Sequence, residues 1–372
     1  MRSSAKNAID TPFLLVLCAL LVCGLLIFTS AALSLLAQAG GASFTSVAVS
    51  QLLLGLVCGA AALIFFARID YRVWRPYTPY FFGASVLLSL MVFVPHVGLA
   101  LKGAARWISL GPVSFQPEEL LKFSTVMLLS AVYAANFRKV NTLLGGIMPL
   151  ALIAGSAAAI LLIQPDTAGV IIIGMAAVTM LFAAGGKASH LLILAFIGVL
   201  AIAGAAYERP YIAKRIQTFF NQEADPLGAG YQVQQSLIAV GSGGLSGKGF
   251  GQGLEKFSYL PEPIGDSIFA VAGEEFGFIG SILLVLLYAL FALLGLRIAA
   301  RAPDPFGGLL VVGLTVLIAG QSFFNIASAI GLVPLVGVPL IFVSHGGTSL
   351  AISLAEVGVI LSVSKRMRHK TT

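Results

Sequence analysis

The chain has 372 residues, 58% of them hydrophobic and only 10% charged, with a net charge of +7 and a mean hydropathy of +0.99. That composition excludes a water-soluble globular domain. Its apolar runs approach the ~20 residues of a bilayer-spanning helix and far exceed the ~10 of a barrel strand, so the spans are helical.

Ten spans are predicted, over residues 12–36, 47–67, 77–94, 119–135, 142–163, 167–184, 188–206, 267–296, 306–331 and 341–363. The expected fold is all-α, a polytopic integral membrane protein forming a single domain over 1–372, with one large extracytoplasmic loop, 207–265, between helices 7 and 8. The first apolar run lacks a small-residue cleavage site and is too long for a signal-peptide core, so it is kept as a span. Basic residues stay on the cytoplasmic side of short loops. A cytoplasmic N-terminus puts 14 of the 22 lysines and arginines inside, so both termini are expected in the cytoplasm. This topology accounts for the positive charge and requires no nucleic acid. Cys18, Cys23 and Cys58 lie in the first two spans and read as small apolar residues, not as a disulfide or metal set.

In chain order, the first polar stretch with character is LKGAARWISLGPVSFQ at 101–116, carrying Lys102, Arg106 and Trp107. Tryptophan beside cations at an interface reads either as a membrane anchor or as a cationic, aromatic lip for a phosphate or a sugar. QPEELLKF and QPDTAG, starting at Gln116 and Gln164, place proline and an acid at a helix start, which capping explains for Glu118 and Asp166. Capping leaves Lys122 unexplained. One turn inside the membrane it is either the helical partner of Glu118 and Glu119 or a functional cation.

The 59 residues of 207–265 open on ERPYIAKRIQTFFN, where Ile212, Ile216, Phe219 and Phe220 recur at helical spacing, the pattern of an amphipathic interfacial helix. GYQVQQSLIAVGSGGLSGKGFGQG follows. An ATPase-type phosphate loop fails there, because Ser242 would have to be glycine and Gly249 serine or threonine. A flexible glycine loop and a backbone nest holding a lipid-linked phosphate with Lys248 both remain open. Asp266 then stands where this loop meets the eighth span. Glu274 and Glu275 lie about 12–14 Å further along that span at ~1.5 Å per residue, and at least one of them needs a basic partner or a polar cavity. Glu356 is a third acid within a span, read equally as a helix–helix bonding residue or a functional group. The segment 331–349, GLVPLVGVPLIFVSHGGTS, breaks regular helix and must line a cavity or be buried in protein. Acids and cations gathered on apolar helices suit a substrate with a lipid tail, an anionic linker and a polar head, with a carboxylate as general base and cations stabilising a departing pyrophosphate.

KGAARWI with QPEELLK, QPD at Gln164 to Asp166, the glycine stretch, KFSYLPEPIGDSIFAVAGEEFGFIG and GLVPLVGVPLIFVSHGGTS, in that order, resemble the SEDS family of FtsW and RodA over nearly the whole chain. The resemblance implies ten transmembrane helices and peptidoglycan glycosyltransferase activity on lipid II. It makes Asp266 the catalytic acid that deprotonates the acceptor's GlcNAc 4-hydroxyl, with inversion at the donor's anomeric carbon. It assigns Lys102, Arg106, Trp107, Glu119, Lys122 and Lys248 to substrate binding or support of that acid. The implied partners are lipid II, a class B penicillin-binding protein transpeptidase, divisome proteins and membrane lipid. No cofactor is assigned, with a divalent cation, magnesium or manganese, left open. The YLPE and AVAGEEFGFIG wording is closer to FtsW than to RodA, which implies the division site. A lipid II flippase, a RodA-like elongation polymerase and a non-catalytic scaffold are the alternatives. Three positions depart from the family pattern: Ile264-Gly265 replaces His-Thr before the aspartate, Glu118 replaces a serine, and His345 replaces a tyrosine.

Overall fold

A computed structural model describes residues 9–38, 41–101, 104–110, 113–221 and 228–367. Helix α1 (Thr11–Gln38) is followed by α2 (Gly41–Val49), which runs through a π-helical stretch into α3 (Gly59–Arg68), and then by α4 (Tyr71–Trp74) and α5 (Thr78–Met91). After a small sheet come α6 (Pro117–Ala135), α7 (Met148–Ile163), α8 (Thr167–Ala183) and α9 (Ala188–Glu208). The polar region carries α10 (Pro210–Phe220), α11 (Ala229–Ser242) and α12 (Glu255–Ser258), and the chain closes with α13 (Ile268–Ala300), α14 (Pro305–Ala329) and α15 (Gly347–Ser364). Helix covers most of each predicted segment. Among the described residues, six helical stretches are long and apolar enough to cross a membrane.

The all-α expectation requires a correction. Between α5 and α6 stands a three-stranded antiparallel sheet of β1 (Gly98–Leu101), β2 (Ala104–Leu110) and β3 (Val113–Phe115). Leu99 pairs with Trp107 and Ile108 with Phe115. Strands of three to seven residues carry too few alternating positions to stand out beside apolar runs several times longer.

The centre of the bundle is α14 and α15, 78% and 89% buried over their spanning windows, against 17% for the span 44–68 and 22% for α13. α14 packs on α13, α8 and α6, and α15 packs on α3. The outer helices turn leucines such as Leu15, Leu152 and Leu192 outward, as expected where the surrounding solvent is lipid.

The glycine stretch is wound onto α13 and is not a free loop. Lys248 and Gly249 donate their N–H groups to the carbonyls of Glu274 and Glu275, and Phe278 and Ile279 donate to Gly244 and Leu245. At the centre of this exchange α13 breaks at Gly277, with φ 66° and ψ −164°. A Cβ there would lie 2.3 Å from the Gly247 nitrogen, and a Cβ on Gly247 would lie 2.1 Å from the Glu275 carbonyl oxygen, so both positions need glycine for backbone approach as well as for positive φ. Charge completes the clamp. Lys248 Nζ sits 2.7 Å from Glu274 Oε1, and Lys256 Nζ sits 2.5 Å from Glu275 Oε1, the second pair with no solvent exposure. Ser30 of α1 donates to the same Glu275 oxygen at 2.6 Å.

The opposite end of the bundle is tied by a different set of pairs. Arg297 binds Asp10 at 2.7 Å, Arg366 binds Asp70 at 2.9 Å, and Asp304 accepts from Tyr71 Oη at 2.5 Å and Arg72 Nε at 3.0 Å. Burial alone would raise the Asp304 carboxyl, but the bonds from Tyr71, the Gly307 N–H and Arg72 outweigh it and hold the pKa below the ordinary carboxylate value.

Two outcomes follow for thermal unfolding in detergent. Lys256→Met leaves Glu275 buried and uncompensated and is expected to cost about 3–5 kcal/mol, most of it recovered in Lys256→Met/Glu275→Gln; a single variant as stable as the parent would refute the clamp. Because the folded pKa of Asp304 is depressed, its stabilisation is present at neutral pH and lost as pH falls. The gap in unfolding temperature between the parent and Asp304→Asn should therefore close on acidification, and a gap that widens would contradict the assignment.

Candidate active site

Asp266 lies half-buried on the turn that leads into α13, and its backbone is gripped from two neighbours. Asn325 of α14 donates Nδ2 to the Asp266 carbonyl at 2.9 Å and to the Val338 carbonyl at 2.7 Å. Ser344 Oγ donates to the Gly265 carbonyl at 2.8 Å, and the His345 N–H donates to the Ile264 carbonyl at 2.7 Å. The irregular segment between α14 and α15 therefore forms the floor beneath the acid. Its approach depends on Gly337, at φ +74°, where a Cβ would come within 3.1 Å of Asp266 Oδ2. Two of the departures from the family pattern meet here, since His345 bonds Ile264 directly. The His345 ring stacks on Phe28, with centroids 6.2 Å apart and planes at 19°.

A second cluster is built on the start of α6. Pro117 at the first turn lacks the one N–H that would otherwise go unpaired at that position, and the helical spacing brings Glu118, Glu119 and Lys122 to one face. Lys122 Nζ is 2.9 Å from Glu119 Oε2, 3.4 Å from Glu118 Oε1 and 3.0 Å from Gln321 Oε1 of α14, and its side chain is only 4% exposed. The i, i+3/i+4 pairing open in the sequence is thus formed, inside the protein. Glu118 and Asp166 lie close enough to interact electrostatically, with Lys122 and Arg106 as the cations nearest both. Glu356 of α15 lies close enough to interact electrostatically with Glu119 and Lys122, which joins the third acid to this network.

Arg106 reaches from β2 across the turn between α7 and α8. It donates Nε to the Gln164 carbonyl at 3.1 Å and a terminal nitrogen to the Pro165 carbonyl, and NH1 stands 3.5 Å from Asp166 Oδ1. Asp166 caps α8 by accepting the Gly169 N–H at 3.2 Å. Trp107 is half-buried on the same strand. Arg106, Asp166, Glu118, Glu119 and Lys122 therefore form one connected network, and Gln321 and Asn325, one turn apart on α14, link it to Asp266. Lys102 lies outside the described residues.

Lys248 belongs elsewhere. It is bound to Glu274, about 12 Å along the chain axis from Asp266 at ~1.5 Å per residue, and Glu274 also accepts from the Leu254 N–H at 2.9 Å. Gly251 donates to Glu275 Oε2 at 3.1 Å. The glycine stretch does cradle anions with its backbone, and those anions are the carboxylates of Glu274 and Glu275. Sequence reasoning missed Lys256, Ser30, Gln321 and Asn325. The last two carried a signal, because Gln321, Asn325 and Ser328 repeat at helical spacing in an otherwise apolar span. Among the described residues, no group of three or more His, Cys, Asp or Glu side chains could hold a metal ion.

A family model, FTSW_RODA_SPOVE, described as a cell cycle protein, matches residues 11–369. The chain is 39% identical over 312 residues to Stage V sporulation protein E of Bacillus subtilis, covering 84% of this chain and 85% of that protein. It is 40% identical over 302 residues to a probable peptidoglycan glycosyltransferase FtsW of a Geobacter species, covering 81% and 82%. Among solved structures it is similar to a chain from a peptidoglycan synthase complex that coordinates polymerization and crosslinking, with TM-score 0.79, 26% identity and coverage of 97% and 98%. The rod shape determining protein RodA of Thermus thermophilus aligns with TM-score 0.68, 25% identity and coverage of 98% and 99%. With a shared fold and a family match over nearly its full length, the chain belongs to the FtsW/RodA/SpoVE family of integral membrane proteins.

Proposed function

We propose that this chain is a peptidoglycan glycosyltransferase of the FtsW type, polymerising lipid II on the outer face of the bacterial cytoplasmic membrane. The observation that carries this reading is Asp266, a half-buried acid on a turn whose backbone is fixed by Asn325, Ser344 and His345, in a chain whose relatives bear that enzyme's name. In the proposed step the Asp266 carboxylate takes the proton of the acceptor's GlcNAc 4-hydroxyl. That oxygen bonds to the donor's anomeric carbon as the carbon–oxygen bond to the pyrophosphate breaks, so configuration inverts and undecaprenyl pyrophosphate leaves. Arg106, with Trp107 beside it on β2, is the group suited to the departing charge, and Lys102 is assigned the same role from its place in the sequence. Glu119 and Lys122, committed to each other inside the bundle, support the acid through α14.

The same reading takes the ten helical segments as ten crossings with both termini cytoplasmic, and 207–265 as a large extracytoplasmic loop. Its partners are a class B penicillin-binding protein transpeptidase and divisome proteins at the division site, with magnesium or manganese as the candidate cation on the pyrophosphate. A flippase would spread uncompensated polar groups through the depth of the membrane. Here Glu274 and Glu275 are neutralised by Lys248 and Lys256, which favours chemistry at the outer end over a translocation path.

The test is polymerisation of lipid II by the purified protein with its transpeptidase partner in detergent, where flipping cannot be scored. Asp266→Ala should abolish polymer while leaving the unfolding temperature unchanged, and undiminished polymer would sink the assignment. For Lys122→Met the expectation is lost stability of roughly 3–5 kcal/mol with lipid II affinity within about twofold of the parent. Binding weakened tenfold or more in the folded variant would instead give Lys122 a substrate contact.

A further inference from the structure

We propose that the corner formed by α4 and α5, at the Asp10 end of the bundle and far from Asp266, is a binding site for an anionic phospholipid. The phosphate would sit on Arg75, with the acyl chains in two apolar recesses on either side of Thr78-Pro79. This inference does not rest on the polymerase reading.

The first recess is a groove of about 440 Å³ between the start of α5 and the lipid-facing side of α6, lined by Pro79, Leu128, Ala131, Val132 and Ala135 and headed by Arg75. The second is an aromatic recess of about 390 Å³ among Phe66, Trp74, Tyr80 and Met127. They share the α4–α5 corner, so one headgroup at that corner could send a chain into each.

Two independent observations point to a lipid headgroup. Arg75 is exposed with its guanidinium 5.8 Å from the Phe306 ring centroid, and among the described residues no carboxylate lies within ion-pair distance of it. Arg138 and Lys139, on the turn after α6, are likewise exposed without an acid. The indole Nε1 of Trp74 is buried with no hydrogen-bond partner among the described residues. An indole N–H can only donate, and it borders the aromatic recess, where a glycerol ester carbonyl would satisfy it. Unpaired cations at a membrane boundary attract anionic headgroups, and basic pockets between helices hold them specifically. Exposed Tyr77 and Tyr80 (57% and 77%) give the corner the aromatic character of an interfacial layer. A transmembrane helix from another protein would fill the grooves but would leave Arg75 and the indole unanswered.

The experiment titrates the purified full-length chain in detergent with phosphatidylglycerol or phosphatidylcholine and reads bound lipid by native mass spectrometry. Phosphatidylglycerol should bind about tenfold more tightly than phosphatidylcholine, a preference lost in Arg75→Gln. Ala131→Phe, which fills the groove, should weaken both lipids. Arg75 is exposed, so the lipid-free unfolding temperature of Arg75→Gln should not move; Ala131 is half-buried against the core, and if Ala131→Phe fails to fold, Arg75→Gln alone decides. Equal binding of the two lipids, or unchanged phosphatidylglycerol preference in Arg75→Gln, would overturn the site. So would loss of a second copy of the chain, in place of lipid, from Ala131→Phe.

Discussion

Two adjacent carboxylates inside one helix, Glu274 and Glu275, set the terms for the polar half of this chain. Burying an ion costs several kcal/mol unless a counter-charge and hydrogen bonds meet it. Both are supplied by the residues that precede α13: lysines 248 and 256 carry the charge, Ser30 and the N–H groups of Gly251 and Leu254 fill the remaining lone pairs, and glycines at 247 and 277 let the backbones touch. A glycine-rich stretch that would otherwise wander is fixed to the helix it leads into. The turn carrying Asp266 lies between the two halves of that clamp.

The clamp fixes one side of the turn and the bundle centre fixes the other. Asn325 reaches both Asp266 and Val338 from α14, the helix that also anchors Lys122 through Gln321. The acid, the α6 cluster and the irregular floor segment are thus referred to a single buried helix. Such an arrangement holds the carboxylate on a rigid element, which is what the proposed proton abstraction requires. The opposite end, bound by exposed and half-exposed ion pairs, is held more weakly.

Much of this was legible because the bilayer simplifies the sequence. Twenty-residue apolar runs mark helices directly, and the adjacent acids at 274 and 275 declared a need for partners. Their identity was not legible. Lys248 and Lys256 lie 26 and 19 residues away along a loop whose path depends on positive-φ glycines, and no periodicity encodes such a return. The glycine stretch is open in the sequence to two readings, a flexible loop or a nest for a lipid-linked phosphate, and neither names the carboxylates of α13 that it holds. The sheet between α5 and α6 escaped because its strands are too short for alternation to register. Lys122 illustrates the converse, since helical spacing offers its pairing with Glu118 and Glu119 as one of two readings, and the structure forms that pairing and adds Gln321.

The central claim is that the lysines of the glycine stretch act on α13 and not on substrate, leaving Asp266 to do the chemistry. Lipid II polymerisation by Lys248→Met, Glu274→Gln and the combined variant tests it most directly. Lys248→Met leaves the Glu274 carboxylate buried and uncompensated, whereas Glu274→Gln leaves only an exposed lysine, so the account predicts that Lys248→Met loses activity, that Glu274→Gln keeps most of it and that the double variant recovers to within about threefold of the parent. A double variant as inactive as Lys248→Met would show that Lys248 contacts substrate and would contradict the account.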